Sequence, residues 1–396
     1  MKAAIIGCGR IGCGFAGELL ANAGYELVFL ARNASMVEHL NRLGRYHVTL
    51  AQGRERTKRT VTGVRAIDTS HRAAAVAALA EADLIVTAVG APNLGDIAPL
   101  IAQALQARST PVNVLAFENL ADGGVALQQE VAAHLPHDFP LEKFGFSGTL
   151  VSRAVTQRLG DPALDEPLEF VGDPPATFVV DGKRLVSPVP GLPSMTVAED
   201  FGAWMVRKLY IFSAGHAACA YLGHLKGYRY IHSAIRDPEI RTAVLDAMRE
   251  GQRGLAGVYG EAFAGGEAHL QEIVERFDNA AIMDSISRVA RDPSRKLSAG
   301  DRLLGAARLA AKAGVHPRAL LRAAAAAYCF TDPDDARATE LQEQIRVSGM
   351  RPTLRRVSGL EASDRLGRAL VNRWHRLAHH WHSESVLLSL NKVVWA

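Results

Sequence analysis

The sequence predicts an α/β protein in two parts, a half built on a parallel sheet followed by a mainly α-helical half. Two observations carry this. Short apolar, β-branched runs alternate with helical patterns from Ala3 to Val180, as a parallel sheet requires. From Ala198 onward the apolar spacing is helical. Between the two halves lies Pro188-Val189-Pro190-Gly191-Leu192-Pro193, which can continue neither a helix nor a central strand. The boundary is therefore placed there, giving parts of residues 1–190 and 191–396.

In chain order, Ala3–Ile6 is read as the first strand and Phe15–Ala23 as the helix that follows its glycine turn. Glu26–Leu30 is the second strand, and Leu84–Val89 and Val112–Phe117 are two more buried runs. Leu168–Val171 and Thr177–Val180 read as further strands, with a turn at Asp181-Gly182. Helices are expected over Ala198–Leu222, Asp237–Gly254, Leu270–Phe277, Asp301–Ala313 and Pro317–Tyr328. The stretch from Ala336 is also helix-like, and the alanine run near Ala323 suits close helix packing.

Bulk properties narrow the function. With 396 residues, 48% of them hydrophobic and 22% charged, the chain can bury two cores and is neither disordered nor fibrous. No apolar run reaches the roughly 20 residues that span a bilayer, so no membrane partner is expected. The start, Met1 to Gly7, is a strand entering a turn rather than a signal peptide. Cys8, Cys13, Cys219 and Cys329 are scattered without metal-type pairing, which suits reduced thiols in the cytoplasm. A net charge of +4 is too mild for nucleic acid but fits an anionic small molecule. His375, His379, His380 and His382 lack the carboxylate or cysteine company of a metal site, so no metal is expected.

Gly7-Cys8-Gly9-Arg10-Ile11-Gly12 follows a strand and opens a helix, the context of a Rossmann dinucleotide fingerprint. Gly7 permits the tight turn, Gly9 lets backbone approach a pyrophosphate, and Gly12 lets helix pack on strand. The helix N-terminus then offers unpaired N–H groups to phosphate. Strand two ends at Ala31-Arg32-Asn33, where an NAD enzyme usually carries an acidic residue for the ribose. A guanidinium in place of a carboxylate suits a 2′-phosphate, so NADP(H) is favoured over NAD(H); Arg32 as a solvated surface residue is the alternative. The candidate cofactor site is Gly7, Gly9, Arg10, Ile11, Gly12, Ala31, Arg32, Asn33, Val89 and Gly90.

The stretch from Arg207 to Gly223 sets Lys208, Ser213 and His216 along an otherwise apolar segment. On a regular helix Ser213 lies roughly 140° and His216 roughly 80° around from Lys208. Ser213 joins the other two only if the helix is irregular near Gly215. A desolvated lysine beside another basic group loses proton affinity and can act as a base near neutral pH. On spacing alone, a helix with a snorkelling lysine and a core histidine fits as well.

These blocks resemble the polyol-specific long-chain dehydrogenase family, and within it the mannitol-1-phosphate 5-dehydrogenases. The likeness includes the glycine turn, Phe117-Glu118-Asn119, and Arg295-Lys296-Leu297-Ser298-Ala299-Gly300-Asp301-Arg302-Leu303. The family pattern of Lys, four residues, Asn, two residues, His is matched at Lys208 and His216, with Ser213 at the Asn position. The resemblance implies an NAD(P)-dependent, metal-independent oxidoreductase that interconverts a secondary alcohol and a ketone on a polyol, sugar or sugar phosphate. It makes Lys208 the general base, with Asn119, Ser213 and His216 steadying the alkoxide. It places Ser152, Arg153, Arg288, Arg291 and Lys296 on the substrate, Ser152 standing where relatives carry Asp and Ala31 where they carry Asp. Asn119 as a turn cap and the three later cations as a solvated face remain open on the residues alone. The implied assembly is a monomer or small homo-oligomer. A 6-phosphogluconate- or ketopantoate-type reductase, or a non-catalytic NADP(H) sensor, are the competing readings.

Overall fold

A computed structural model describes residues 1–53, 55–120, 122–158, 166–174, 178–190, 192 and 194–378. The chain forms two compact units, Met1–Met205 and Val206–Ala396. An α/β unit with a largely parallel sheet is thus followed by a helical one, as the alternation of patterns predicts.

Unit one contributes twelve strands among its described residues: β1 Lys2–Ile6, β2 Glu26–Ala31, β3 Arg45–Gln52, β4 Glu55–Thr62, β5 Arg65–Asp68, β6 Leu84–Thr87, β7 Asn113–Ala116, β8 Gly145–Val151, β9 Val155–Arg158, β10 Glu169–Gly172, β11 Phe178–Asp181 and β12 Met195–Ala198. The main sheet runs β12-β11-β8-β7-β6-β1-β2-β5. β1 lies between β2 and β6, Ile5 facing Phe29 on one side and Val86 on the other, both pairings parallel. Alternate β1 side chains point to opposite faces: Ala3 and Ile5 join the core around Phe15 and Tyr46, Ala4 and Ile6 the core around Leu79 and Ile101. Both faces are covered, so these strands read as unbroken apolar runs. The second sheet, β4-β3-β10-β9, holds Tyr46 and Phe170 edge-on at 5.7 Å.

The β3–β4 hairpin has no counterpart in the sequence expectations. All of β4 but Val61 is exposed and polar, so it carries no alternation that would mark a strand. The expected Leu84–Val89 strand stops at Thr87 because the chain turns away through Gly90, whose φ is 87°. Thr177, expected to open β11, lies outside the described residues.

The units divide past the proline-rich connector. β12 pairs with β11 from Phe178↔Met195 to Asp181↔Ala198, and Phe201 packs on Leu150 and Val179, which keeps this stretch in unit one. For the same reason the helix expected from Ala198 begins at Phe201.

Unit two is built around the helix Ala214–Leu225, flanked by Pro238–Tyr259 and Arg318–Tyr328. Small residues let helices approach closely: a Cβ on Gly254, in Pro238–Tyr259, would lie 2.7 Å from the nitrogen of Ala310, in Leu304–Lys312. Further helices lie at Glu267–Phe277, Leu304–Lys312, Ala336–Ser348 and Met350–Ser358, and residues 365–378 are helical. Among the described residues no helix is long and apolar enough to cross a membrane.

Candidate active site

At the carboxyl edge of the unit-one sheet the glycine turn has the tightness its spacing implies. Gly7 has φ 106°, and a Cβ there would meet the Ala88 carbonyl oxygen at 2.6 Å. A Cβ on Gly12 would stand 1.8 Å from the Gly7 carbonyl oxygen. Gly9 differs: nothing lies within 4 Å of where its Cβ would be, so the backbone faces open space. The following helix starts with a π-helical stretch, Gly12–Gly17, and continues as Glu18–Asn22, earlier than the expected start at Phe15. The turn thus leaves room for a group against exposed backbone, the cradle a dinucleotide pyrophosphate requires.

Ala31 is buried at the end of β2 and Asn33 caps the helix Ala34–Leu43, its Oδ1 accepting from the Met36 amide at 3.1 Å. Arg32 between them is 68% exposed and donates from Nη1 to Asp96 Oδ2 at 2.9 Å. Val89 and Gly90 follow β6, and the Val89 amide donates to Glu118 Oε1 at 3.0 Å. The other oxygen of Glu118 accepts from the Thr87 hydroxyl at 2.7 Å. Asn119, next along, is exposed beyond the end of β7.

Arg153 is not presented to an open cleft. Its guanidinium, 1% exposed, donates to Glu18 Oε2 at 2.9 Å and to the Gly14 carbonyl at 3.1 Å, and lies over the Phe15 ring. Glu18 also pairs with Arg59. Ser152, the residue before, is half-buried. The sequence reading missed Glu18, although a carboxylate inside the apolar Phe15–Ala23 pattern demands a partner for the same reason Lys208 does.

In unit two Lys208–Ser213 is a second π-helical stretch, between the α-helices Phe201–Arg207 and Ala214–Leu225. This is the irregularity that Ser213 needs. Closing the turn with i→i+5 bonds brings residues five apart onto one side, so Lys208 and Ser213 share a face. Gly251 receives the displaced chain: a Cβ there would be 2.2 Å from the Tyr210 carbonyl oxygen. Burial, then the Arg276 and Arg302 charges, bring the Lys208 pKa down from 10.5 to about 8.

His216 Nε2 lies 3.0 Å from Asp284 Oδ2, with the ring 19% exposed and stacked on Phe277 at 4.9 Å. Burial lowers its pKa, and the bond to Asp284 opposes that without cancelling it. Burial would raise the Asp284 pKa, but His216 and Arg288 outweigh it and the carboxyl is held below its usual value. Asp284 is the second residue the sequence reading missed; its spacing of four from Arg288 was the available signal. Arg288 is thereby engaged, donating to Asp284 at 2.5 and 2.7 Å.

Lys296 is 4% exposed and donates to the Arg291 carbonyl oxygen. Burial, then Arg302 and Arg295, lower its pKa to about 7. Arg291 itself is exposed. The structure therefore gathers Lys208, Ser213 and His216 on one irregular helix and ties Arg288 to His216 through Asp284. Among the described residues no group of three or more His, Cys, Asp and Glu is placed to hold a metal; His379, His380 and His382 lie outside them.

Residues 1–194 match the mannitol dehydrogenase Rossmann domain and residues 200–377 the mannitol dehydrogenase C-terminal domain. The mannitol-1-phosphate 5-dehydrogenase of Brevibacillus brevis is 36% identical over 386 residues, 95% of this chain and 98% of that protein. That of Bacillus licheniformis is 35% identical over 380 residues, 94% of this chain and 99% of the relative. Two solved structures share the fold. A D-sorbitol dehydrogenase in substrate-free form has TM-score 0.78 at 15% identity, covering 94% of this chain and 92% of that one. The Pseudomonas fluorescens mannitol 2-dehydrogenase, in ternary complex with NAD and D-mannitol, has TM-score 0.71 at 17% identity, covering 100% and 94%. With both units matched and two relatives aligned over nearly their whole lengths, this chain belongs to the mannitol dehydrogenase family and is a dehydrogenase acting on CH–OH groups.

Proposed function

We propose that the enzyme interconverts a secondary alcohol and a ketone on a polyol, sugar or sugar phosphate, with Lys208 as its general base. The observation that carries this is Lys208 itself, half-buried on a π-helical turn with its pKa brought to about 8. An amine with that pKa is partly deprotonated at neutral pH and can take a hydroxyl proton, then return it in the reverse direction.

The residues of the glycine turn fit a nicotinamide dinucleotide: Gly7, Gly9, Arg10, Ile11 and Gly12 would hold the pyrophosphate, Ala31, Arg32 and Asn33 the ribose end, and Val89 and Gly90 the neighbouring edge. Once bound, the dinucleotide accepts or supplies the hydride. Arg32 in place of an acidic residue favours NADP(H) over NAD(H).

As the proton leaves the substrate hydroxyl, Asn119 and Ser213 donate to the developing alkoxide, which lowers the barrier by fixed dipoles. His216 contacts the same substrate. Ser152, Arg291 and Lys296 serve its remaining oxygens, and the Arg288 guanidinium its far end. Arg153, next to Ser152 in the chain, is enclosed with Glu18.

A cofactor-reduction assay across polyols, sugar phosphates and hexuronates, run with both NAD and NADP, tests this reading. A polyol or its phosphate should be oxidised by the wild type and not by Lys208→Ala. Turnover confined to 2-hydroxy acids, or undiminished in the variant, would overturn it.

A further inference from the structure

We propose that Asp284 is a positioning residue that holds His216 as its Nε2–H tautomer, so that the imidazole meets a substrate hydroxyl as an acceptor through Nδ1. This rests on the reading of His216 as a substrate contact, and it changes what that contact does. A histidine that steadies an alkoxide must donate; this one has its donor already committed.

The geometry assigns the proton. An ionised carboxylate only accepts hydrogen bonds, so the nitrogen 3.0 Å from Asp284 Oδ2 must carry the hydrogen, and that nitrogen is Nε2. Asp284 stays ionised because Arg288 donates two hydrogen bonds to its other oxygen. Phe277 stacks on the imidazole with 17° between planes and Phe212 tilts against it at 5.8 Å, so the ring plane is set by packing. The Asp284 bond then decides which edge of the ring points inward, since turning the ring over would break it.

The charged groups that act on His216 are Asp284, Arg288 and Arg302, with Arg276 beyond, over the Phe212 ring at 4.8 Å. Two guanidiniums and burial oppose protonation, one carboxylate favours it, and the ring stays neutral at neutral pH. A neutral imidazole with hydrogen on Nε2 offers one lone pair, on Nδ1. It can receive a hydrogen bond from a polyol hydroxyl, and so select substrates that present one beside the reacting carbon. Stabilising the alkoxide is left to Asn119 and Ser213.

The experiment is nitrogen NMR of the wild-type protein with [15N]histidine incorporated, alongside kinetics of Asp284→Ala, Asp284→Glu and His216→Ala. We expect His216 in the wild type to show a protonated Nε2 and an unprotonated Nδ1 at neutral pH. Asp284→Ala should mix the tautomers and raise KM about tenfold with kcat changed less, and Asp284→Glu should recover much of the loss. A wild-type spectrum with hydrogen on Nδ1, or with an imidazolium at neutral pH, overturns the proposal. So does an Asp284→Ala variant of unchanged tautomer and KM while His216→Ala has a raised KM. If His216→Ala itself keeps the wild-type KM and kcat, the substrate contact is absent and the proposal falls with it, while the role of Lys208 stands. The wild-type spectrum decides the tautomer even if Asp284→Ala does not fold.

Discussion

The Glu118 carboxylate accepts the Val89 amide at 3.0 Å, and so joins the loop after β6 to the end of β7. Its second oxygen takes the Thr87 hydroxyl, and the whole side chain is buried. One residue thus sets the backbone around Val89 and Gly90 on one side and carries Asn119 on the other. Removing it orphans a half-buried amide and a buried hydroxyl at once.

Glu118→Ala should therefore destabilise the protein by about 1–4 kcal/mol, about 1–3 for the buried hydroxyl and less for the half-buried amide. Glu118→Gln retains one acceptor and should cost less. Urea denaturation gives both numbers. Equal stability in all three proteins would mean that the carboxylate is not a structural tie.

Lys208 should work against stability while it works for turnover. Its pKa is about 8 folded and 10.5 ordinarily, so between those values the unfolded chain binds more protons than the folded one. Stability must then rise with pH across that window, and below about pH 8 the burial cost is carried in full. Lys208→Met should be at least as stable as the wild type at pH 7, yet turn over at least about a hundredfold more slowly, the usual scale for a general base. In the wild type, oxidation should quicken as pH rises through about 8. Thermal melts at pH 7 and pH–rate profiles check both halves; a flat profile with a less stable Met variant would refute them together.

Glu18 and Arg153 form a pair whose side chains are 2% and 1% exposed. Breaking one partner of a buried pair leaves the other charge without compensation, at about 3–5 kcal/mol. Glu18→Gln, which also releases Arg59, should show a loss of that size, and Arg153→Met a comparable one. If Arg153→Met instead stays stable and raises only the KM for substrate, the guanidinium belongs to the substrate and not to the fold.

Much of this was legible in the residues. β1, β2 and β6 announced themselves because both faces of the sheet are covered and alternation gives way to continuous apolar runs. The β3–β4 hairpin did not, since β4 buries only Val61. Gly7 and Gly12 could be read from spacing because the turn is a local pattern, although a Cβ on Gly7 would meet Ala88, far along the chain. Glu18 and Asp284 carried only part of their meaning locally, the one as a carboxylate in an apolar pattern and the other in its spacing from Arg288; their partners Arg59 and Arg153, and His216, lie far along the chain. The π-helical turn at Lys208 sits between these cases. The offset of Ser213 required an irregularity, but its form, with Gly251 receiving the Tyr210 carbonyl, depends on a helix the local sequence does not contain.

The serines at 152 and 213 stand where an acid and an amide are expected, and on the proposed reading both alter what the substrate can bond to. A site built for particular hydroxyls discriminates strongly, because a mismatch leaves buried polar atoms unpaired. Mannitol 1-phosphate and fructose 6-phosphate should be poor substrates beside another polyol, sugar or sugar phosphate. Ser213→Asn with Ser152→Asp should shift kcat/KM toward the hexitol phosphate. Ordinary enzymatic turnover of fructose 6-phosphate by the wild type would show that both serines are tolerated replacements.

Arg32 tests the cofactor preference. It is held by Asp96 at 2.9 Å, but both side chains are more than half exposed, and such a pair contributes only about 0–1 kcal/mol. A 2′-phosphate carries more charge than a carboxylate and presents three acceptor oxygens, so it can take the guanidinium from Asp96. Arg32→Ala should then weaken NADPH binding about tenfold, the cost of one charged hydrogen bond, and leave NADH nearly unchanged. Asp96→Asn should act in the opposite direction, since it removes the competitor and keeps the arginine. Fluorescence titration of the reduced dinucleotides reads all six affinities without any substrate. Tighter binding of NADH than NADPH by the wild type, with no response to Arg32→Ala, would show that the Arg32–Asp96 pair only decorates the surface.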